Sequence, residues 1–333
     1  MTNVPVPRDL IQLERQDGVA IATLHDPERL NAMTEAMGQA LSAAVDTLAG
    51  DSSLRVVVLT GAGRAFSAGG DLDLLERMAR AGNASRAGEA RQRHESFMGR
   101  FYRLFLRLRS LPQPTIAAVN GPAIGAGCCV ALACDLRIVA REAKLGLNFN
   151  RLGLHPGMAA TWMLPRIVGP AHAAELLYTG RILDGSEAER IGLVNRAVPR
   201  ASLRDEALAL ARSIAESAPL SVQATKRSLA LSPLATLDEQ LDQEAREQAL
   251  RERRPARRAR RGARAPGAPL RGTLTASCRC AAVTALTGCP RAWPITGDLL
   301  GETFVTRTLL RSQGLWLTMT YLFLLLLAGR AYV

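Results

Sequence analysis

The sequence predicts an α/β protein whose strand–strand–helix units repeat as a spiral, and three observations carry that expectation. The first is the stretch Thr115–Ala140. Thr115–Val119 is small or β-branched behind Pro112 and Pro114, and reads as a strand. Asn120-Gly121-Pro122 turns the chain, Gly125-Ala126-Gly127 opens a helix of small residues running from Cys128 to Cys134, and Asp135 leads into a second strand, Leu136–Ala140. The second observation is a like unit upstream. The β-branched strand Val56–Thr60 runs into GAGRAFSAGGDL, residues 61–72, again strand, small-residue loop and helix. The third is negative: no strand-bound GxGxxG is followed by an acidic residue ~20 positions on, which argues against a doubly wound dinucleotide fold.

Small residues where a strand meets a helix N-terminus let a ligand approach bare backbone. Unpaired N–H groups and the positive end of the helix dipole favour an anion or oxyanion there. A tight turn packed under a neighbouring element would use the same residues. Two such units, about 55 residues apart, can present two converging N–H donors, the architecture of an oxyanion hole.

The remaining elements follow in chain order. Loose alternation around Asp17-Gly18 predicts a hairpin of Ile11–Glu14 with Val19–Leu24, followed by a loop over residues 25–33. Thr34 is the expected N-cap of a helix to about Ala49, with Met37, Leu41, Val45 and Leu48 on one face. Residues 71–80 begin a helix, and residues 81–92 (AGNASRAGEARQ) read as a mobile loop. An amphipathic helix over 94–109 carries Phe97, Phe101, Leu104, Phe105 and Leu108. Short helices are expected at 171–178 and 186–191, and longer ones at 201–217, 219–231 and 233–250. The chain then divides into a spiral core, 1–200, a helical region, 201–250, and a tail, 251–333.

Charge is placed unevenly along the 333 residues. The net +12 resolves into +1 for residues 1–250 (28 Lys+Arg, 27 Asp+Glu) and +11 for residues 251–333 (14 and 3). The basic character therefore belongs to the tail and says nothing about partners of the main region. The tail's arginine run lacks interleaved aromatics, so no nucleic-acid partner is expected. Its apolar run near 314–329 lies in 18 uncharged residues between Arg311 and Arg330, borderline for a membrane span. The preferred reading is an out-of-frame extension without a fixed fold, ending in a peripheral helix; a tail anchor is the alternative. Cysteines fall at 128, 129, 134, 278, 280 and 289. The first three read as small buried apolar groups, and Cys278, Cys280 and Cys289 lack a fourth ligand at zinc-site spacing, so no metal is expected. The N-terminus has no signal-peptide core, which leads to an expectation of a reduced, cytoplasmic setting.

The two small-residue loops resemble the enoyl-CoA hydratase/isomerase (crotonase) superfamily, whose marks are a GxGxxFxAGxDL-like loop and a VNGxAxGxGxxLALxCDxRIA-like segment. The resemblance runs from about Ile11 to Gln248, with later matches at Leu152–Leu164, Pro165–Gly169, Glu175–Tyr178 with Thr179-Gly180, and Ala188–Val194 with Val198. It implies a crotonase-like spiral and an acyl-CoA thioester substrate, with no cofactor beyond the coenzyme A of that substrate. It also implies a homotrimer or dimer of trimers built through the helical region. The family's lid-forming last helix has no counterpart after about residue 250, which implies weaker CoA binding.

By the same resemblance the backbone N–H groups of Gly70 and Ala126 form the oxyanion hole for a thioester enolate. The backbone of Ala68 would meet the CoA adenine, with Ala32, Asp71 and Leu72 beside it. Asp71 is expected to cap its helix rather than act as a base. Arg29 is the candidate for the CoA phosphates, with a solvated surface arginine as the alternative. Hydratases of the family use two glutamates, one giving and one taking a proton. The matching positions here are Cys129 and Phe149. Substitute groups are few: His94 and Glu95 at the end of the mobile loop, His155 near the pocket floor, and Cys129 itself as a thiolate at a helix N-terminus. Phe149 with Trp162 is expected to line an apolar acyl pocket. Two classes of function compete: an enzyme of enolate chemistry (isomerase, decarboxylase, thioesterase or unconventional hydratase), and a non-catalytic acyl-CoA binder.

Overall fold

The hairpin forms as the alternation predicts, β1 (Ile11–Gln16) antiparallel to β2 (Val19–Leu24). A computed structural model describes residues 10–71 and 87–252 of the chain, without the side chains of 87–91 and 251–252. From β2 the main sheet continues in parallel through β3 (Val56–Gly61), β4 (Thr115–Val119), β6 (Leu136–Ala140) and β9 (Arg196–Val198). Its spatial order is β1-β2-β3-β4-β6-β9. Strands β3 and β4 are apolar and buried along nearly their whole length, as befits parallel strands covered on both faces. A second sheet joins β5 (Ala123–Ile124) parallel to β7 (Lys144–Gly146), and β7 antiparallel to β8 (Ile182–Asp184).

Helix α1 (Glu35–Ala49) begins at Thr34, whose hydroxyl accepts from the Met37 N–H at 3.1 Å, and it buries Met37, Leu41, Val45 and Leu48. Helix α2 spans Ala87–Leu106 and ends in a 3-10 turn at Arg107–Ser110. This corrects the expected loop over 81–92: residues 87–92 are helical, so the composition rich in Gly, Ala and Arg did not break the helix. The helix expected to start at 71–80 lies outside the described residues. On α2, Phe97 stacks on Phe101 and Phe101 meets Phe105 edge to face, with Phe105 fully buried.

Helix α3 (Ala126–Ala133) is buried on every side, which explains its run of small residues. Helix α4 runs over Ala160–Thr179 with a break at Gly169, whose φ is 77°. The sequence predicted only its second half, because Pro165 and Pro170 mask the first. Helix α5 (Gly185–Arg190) is capped by the Asp184 carboxylate, which accepts from Glu187 N–H at 2.9 Å. Helices α6 (Leu203–Ala215), α7 (Pro219–Leu231) and α8 (Leu237–Glu252) match the expected series. Helix α6 packs on β2, β3, β4 and β6 and buries Leu203, Ala207, Leu208 and Ala211 in the common core. The boundary drawn at residue 200 therefore assigns to the helical region a helix that belongs to the spiral's core. On α7, Lys226 reaches back to the sheet, pairing with Asp135 at 2.7 Å and donating to the Gln113 carbonyl at 2.9 Å. All predictions about residues 253–333 lie outside the described residues. Among the described residues no helix is long and apolar enough to cross a membrane.

Candidate active site

Three stretches of backbone, residues 30–33, 65–70 and 121–127, are laced together where β3 and β4 run out. The N–H groups of Phe66 and Ser67 donate to the Pro122 carbonyl at 3.1 and 3.0 Å, and Ile124 N–H returns a bond to Ser67 at 3.0 Å. Ala68 N–H donates to Leu30 and Met33 N–H to Gly69, at 2.9 and 2.8 Å. Gly125 N–H ties the same knot to β7 through the Gly146 carbonyl at 2.7 Å. The closeness demands glycine. A Cβ on Gly127 would lie 2.6 Å from the Ser67 side chain and 2.7 Å from its carbonyl oxygen. At Gly69, where φ is +99°, a Cβ would lie 2.5 Å from the Ile124 carbonyl and 3.7 Å from the Ala126 nitrogen.

The next residue, Gly70, is solvent-exposed, and among the described residues its N–H makes no backbone hydrogen bond. Ala126, 7% exposed, is the first residue of α3, so its N–H belongs to the first turn, which has no intrahelical acceptor. The packing reading of these small residues therefore holds: glycine lets the loops cross at backbone distance.

Asn31 holds the crossing together, and the sequence analysis missed it. It is fully buried in the left-handed region at φ 54°. Its Nδ2 donates to the carbonyls of Ala62, Ala65 and Phe66, at 2.9, 2.9 and 3.2 Å, and its Oδ1 accepts from Asp26 N–H at 2.9 Å. An asparagine between Leu30 and Ala32 in a predicted loop gave one usable signal: asparagine tolerates positive φ better than most residues.

One turn into α3 the chemistry changes from backbone to side chains. Cys129 is completely buried, with Sγ 3.8 Å from the Gly157 carbonyl. Burial, with Cys128 alongside, pushes its thiol well above the ordinary value, so Cys129 stays a neutral thiol, against the alternative of a helix-terminus thiolate. Burial likewise raises Cys128 and Cys134 to about 12, in keeping with the structural reading of all three. Half-buried Phe149 lies against Gly125, its ring 4.0 Å from where a Cβ there would stand. Half-buried Tyr102 of α2 packs on Gly157 so closely that a Cβ at Gly157 would run into the phenol oxygen. Tyr102 was absent from the sequence candidates because it sits among the aromatic core residues of α2.

Other candidates are dispersed. His94 and Glu95 stand exposed on α2, not at a loop end, and His155 is exposed rather than on a pocket floor. Trp162 does not join Phe149. It is 39% exposed, held between Arg109 and Arg166 at 5.0 and 4.2 Å from its ring centre, on the rim of a separate groove of about 820 Å³ with Leu132, Val222 and Lys226. Arg29 pairs with Asp71 at 3.4 Å. Ala32 is half-buried and Ala68 exposed beside Gly70, while Leu72 lies outside the described residues. Among the described residues no three His, Cys, Asp or Glu side chains gather as metal ligands.

Fold and site together define a crotonase-type protein, an α/β spiral presenting a helix N-terminus to a glycine-rich loop. A sequence model of the enoyl-CoA hydratase/isomerase family matches residues 14–259. The chain is 42% identical to a putative enoyl-CoA hydratase of Thermus thermophilus over 67% of its own length and 85% of that protein. It is 39% identical to 1,2-epoxyphenylacetyl-CoA isomerase of Escherichia coli, over 69% and 85% of the two chains. Its structure is similar to the crystal structure of a putative enoyl-CoA hydratase from Thermobifida fusca in complex with CoA, with TM-score 0.66 and 34% identity over 74% and 94% of the chains. The chain belongs to the enoyl-CoA hydratase/isomerase family.

Proposed function

We propose that this protein is an enolate-forming enzyme on an acyl-CoA thioester, with the N–H groups of Gly70 and Ala126 as its oxyanion hole. The observation that carries the proposal is the approach of the two loops. Gly69 is pressed against Ile124 and Ala126, so the N–H of the next residue, Gly70, and the N–H that opens α3 belong to one locality. Charge develops on the thioester oxygen as the enolate forms, and fixed donors stabilise it without reorganising. The positions that carry carboxylates in family hydratases hold a neutral thiol, Cys129, and a phenyl ring, Phe149. The site therefore suits isomerisation or another enolate reaction rather than the two-carboxylate addition of water. Arg29 and the backbone of Ala68 would receive the CoA end, and a homotrimer is the expected assembly. The family relatives named as CoA-thioester isomerases and hydratases support an enzyme over a non-catalytic binder.

Gly70→Pro tests this, because proline removes one donor. Turnover of an acyl-CoA panel, followed by mass spectrometry, should fall by about 10²–10³, the usual loss for one oxyanion donor. Turnover equal to wild type would refute the assignment.

A further inference from the structure

Among the described residues, a phenol approaches the end of the site around Cys129. Tyr102 reaches it from α2, which packs against α3. Its phenol oxygen stands against Gly157, and the Gly157 carbonyl is the group that Cys129 Sγ faces at 3.8 Å. Cys129 is three residues beyond Ala126 on α3, the same helix face and ~4.5 Å along the axis. The phenol, the thiol and the Ala126 N–H thus share one locality. Among the described residues no hydrogen bond holds the Tyr102 hydroxyl, and its position half in and half out of the core leaves it open to a ligand.

We infer that Tyr102 is the proton donor to the α-carbon of the enolate held by Gly70 and Ala126. The inference rests on the acyl-CoA reading above. In the step, the electron pair of the enolate C=C forms the new Cα–H bond as the phenol O–H bond breaks. The thioester carbonyl re-forms, and the phenolate takes its proton back from water. Burial first, and the Cys129 thiol second, hold the phenol above the ordinary tyrosine value, so Tyr102 carries its proton at neutral pH and serves as acid. Among the described residues, Cys129 on α3 is the titratable group that bears on it. His155, two residues before Gly157, is exposed, and Arg103, next on α2, turns back to the Gly99 carbonyl at 2.8 Å.

The test is hydrogen exchange at the α-carbon of phenylacetyl-CoA, chosen for its acidic α-hydrogens, by the full-length protein in D2O. Run in reverse, the step needs the phenolate, so wild-type exchange should rise with pH toward a limb above the ordinary tyrosine value. Tyr102→Phe should slow exchange about 10²-fold, the lower range for a lost acid–base group, while calorimetric affinity for the thioester stays within about twofold. Incorporating 3,5-difluorotyrosine at 102, which keeps the shape and acidifies the phenol, should move the limb to lower pH even if Tyr102→Phe folds poorly. Exchange unchanged in Tyr102→Phe, a limb unmoved by fluorination, or no exchange in a wild type that binds the thioester would each overturn the inference. A wild type that does not bind phenylacetyl-CoA would overturn the acyl-CoA reading and this inference with it.

Discussion

The two ends of the site are built on different principles. At the loop crossing, what the sequence supplies is backbone, and the small side chains let three strands of it touch. One turn away, around Cys129, Phe149 and Tyr102, any chemistry must come from side chains. The first end tolerates almost no change, since Gly127 has no room for a methyl group. The second, on the proposed reading, carries a thiol and a phenyl ring where family hydratases carry carboxylates, the thiol on a helix that is buried and intact. A fold of this kind can keep its means of stabilising an enolate and alter what is done to that enolate.

The sharpest way to break the comparison is to crowd the crossing. Gly127→Val places a side chain within 2.6 Å of Ser67 on a fully buried helix. It should cost about 3 kcal/mol, the upper end of ordinary overpacking, and remove thioester binding. Gly153→Ala is the control: its φ is +68° with nothing within 4 Å, so it should cost only the ~1–2 kcal/mol of a left-handed residue and leave binding unchanged. Chemical denaturation and calorimetry read both. Equal losses in the two variants would mean that the crossing is no tighter than a surface turn.

The second end is tested by restoring what it lacks. Wild-type protein should hydrate crotonyl-CoA negligibly, and the Cys129→Glu, Phe149→Glu double variant should exceed it by about tenfold. That gain falls short of the 10²–10⁴ of positioned acid–base groups, because Cys129 is fully enclosed and a carboxyl there begins desolvated and neutral. Robust hydration by the wild type, followed by loss of the enoyl-thioester absorbance at about the rate of an ordinary enzyme (~10 s⁻¹), would show that other groups act as the pair.

Legibility in the sequence follows the same divide. The crossing was readable because glycine and alanine spacing states a backbone requirement directly. The α1 helix was readable because Thr34 and a 3.6-residue apolar period agree. Strands β5, β7, β8 and β9 were missed because two or three residues carry no period. Side-chain placement was the weakest inference. Trp162 was assigned to the acyl pocket from its neighbourhood in the sequence, whereas the kinked α4 carries it to another groove. Tyr102 was passed over because one polar edge on an aromatic stripe looks like core. Neighbours that meet only through long-range packing leave no local mark in a single sequence.

The smallest effect concerns the CoA end, where Arg29 has two roles to choose between. Its side chain is 51% exposed and lies 3.4 Å from Asp71, which is 12% exposed. An ion pair so open to water contributes ~0.2–1 kcal/mol to stability. If Arg29 also meets a CoA phosphate, Arg29→Ala should raise the Kd for an acyl-CoA by about three- to fivefold at low salt. The loss should shrink as ionic strength rises toward 0.15 M, where the Debye length is ≈ 8 Å. An acyl-pantetheine, which has the thioester but no nucleotide phosphates, should bind wild type and variant alike. If Arg29 acts only by holding Asp71 beside Gly70, both ligands should weaken together, and salt should make little difference to their ratio. Titrating the two ligands at two salt concentrations separates a phosphate contact from a loop brace, and so decides whether the charge at this end serves the ligand or the crossing.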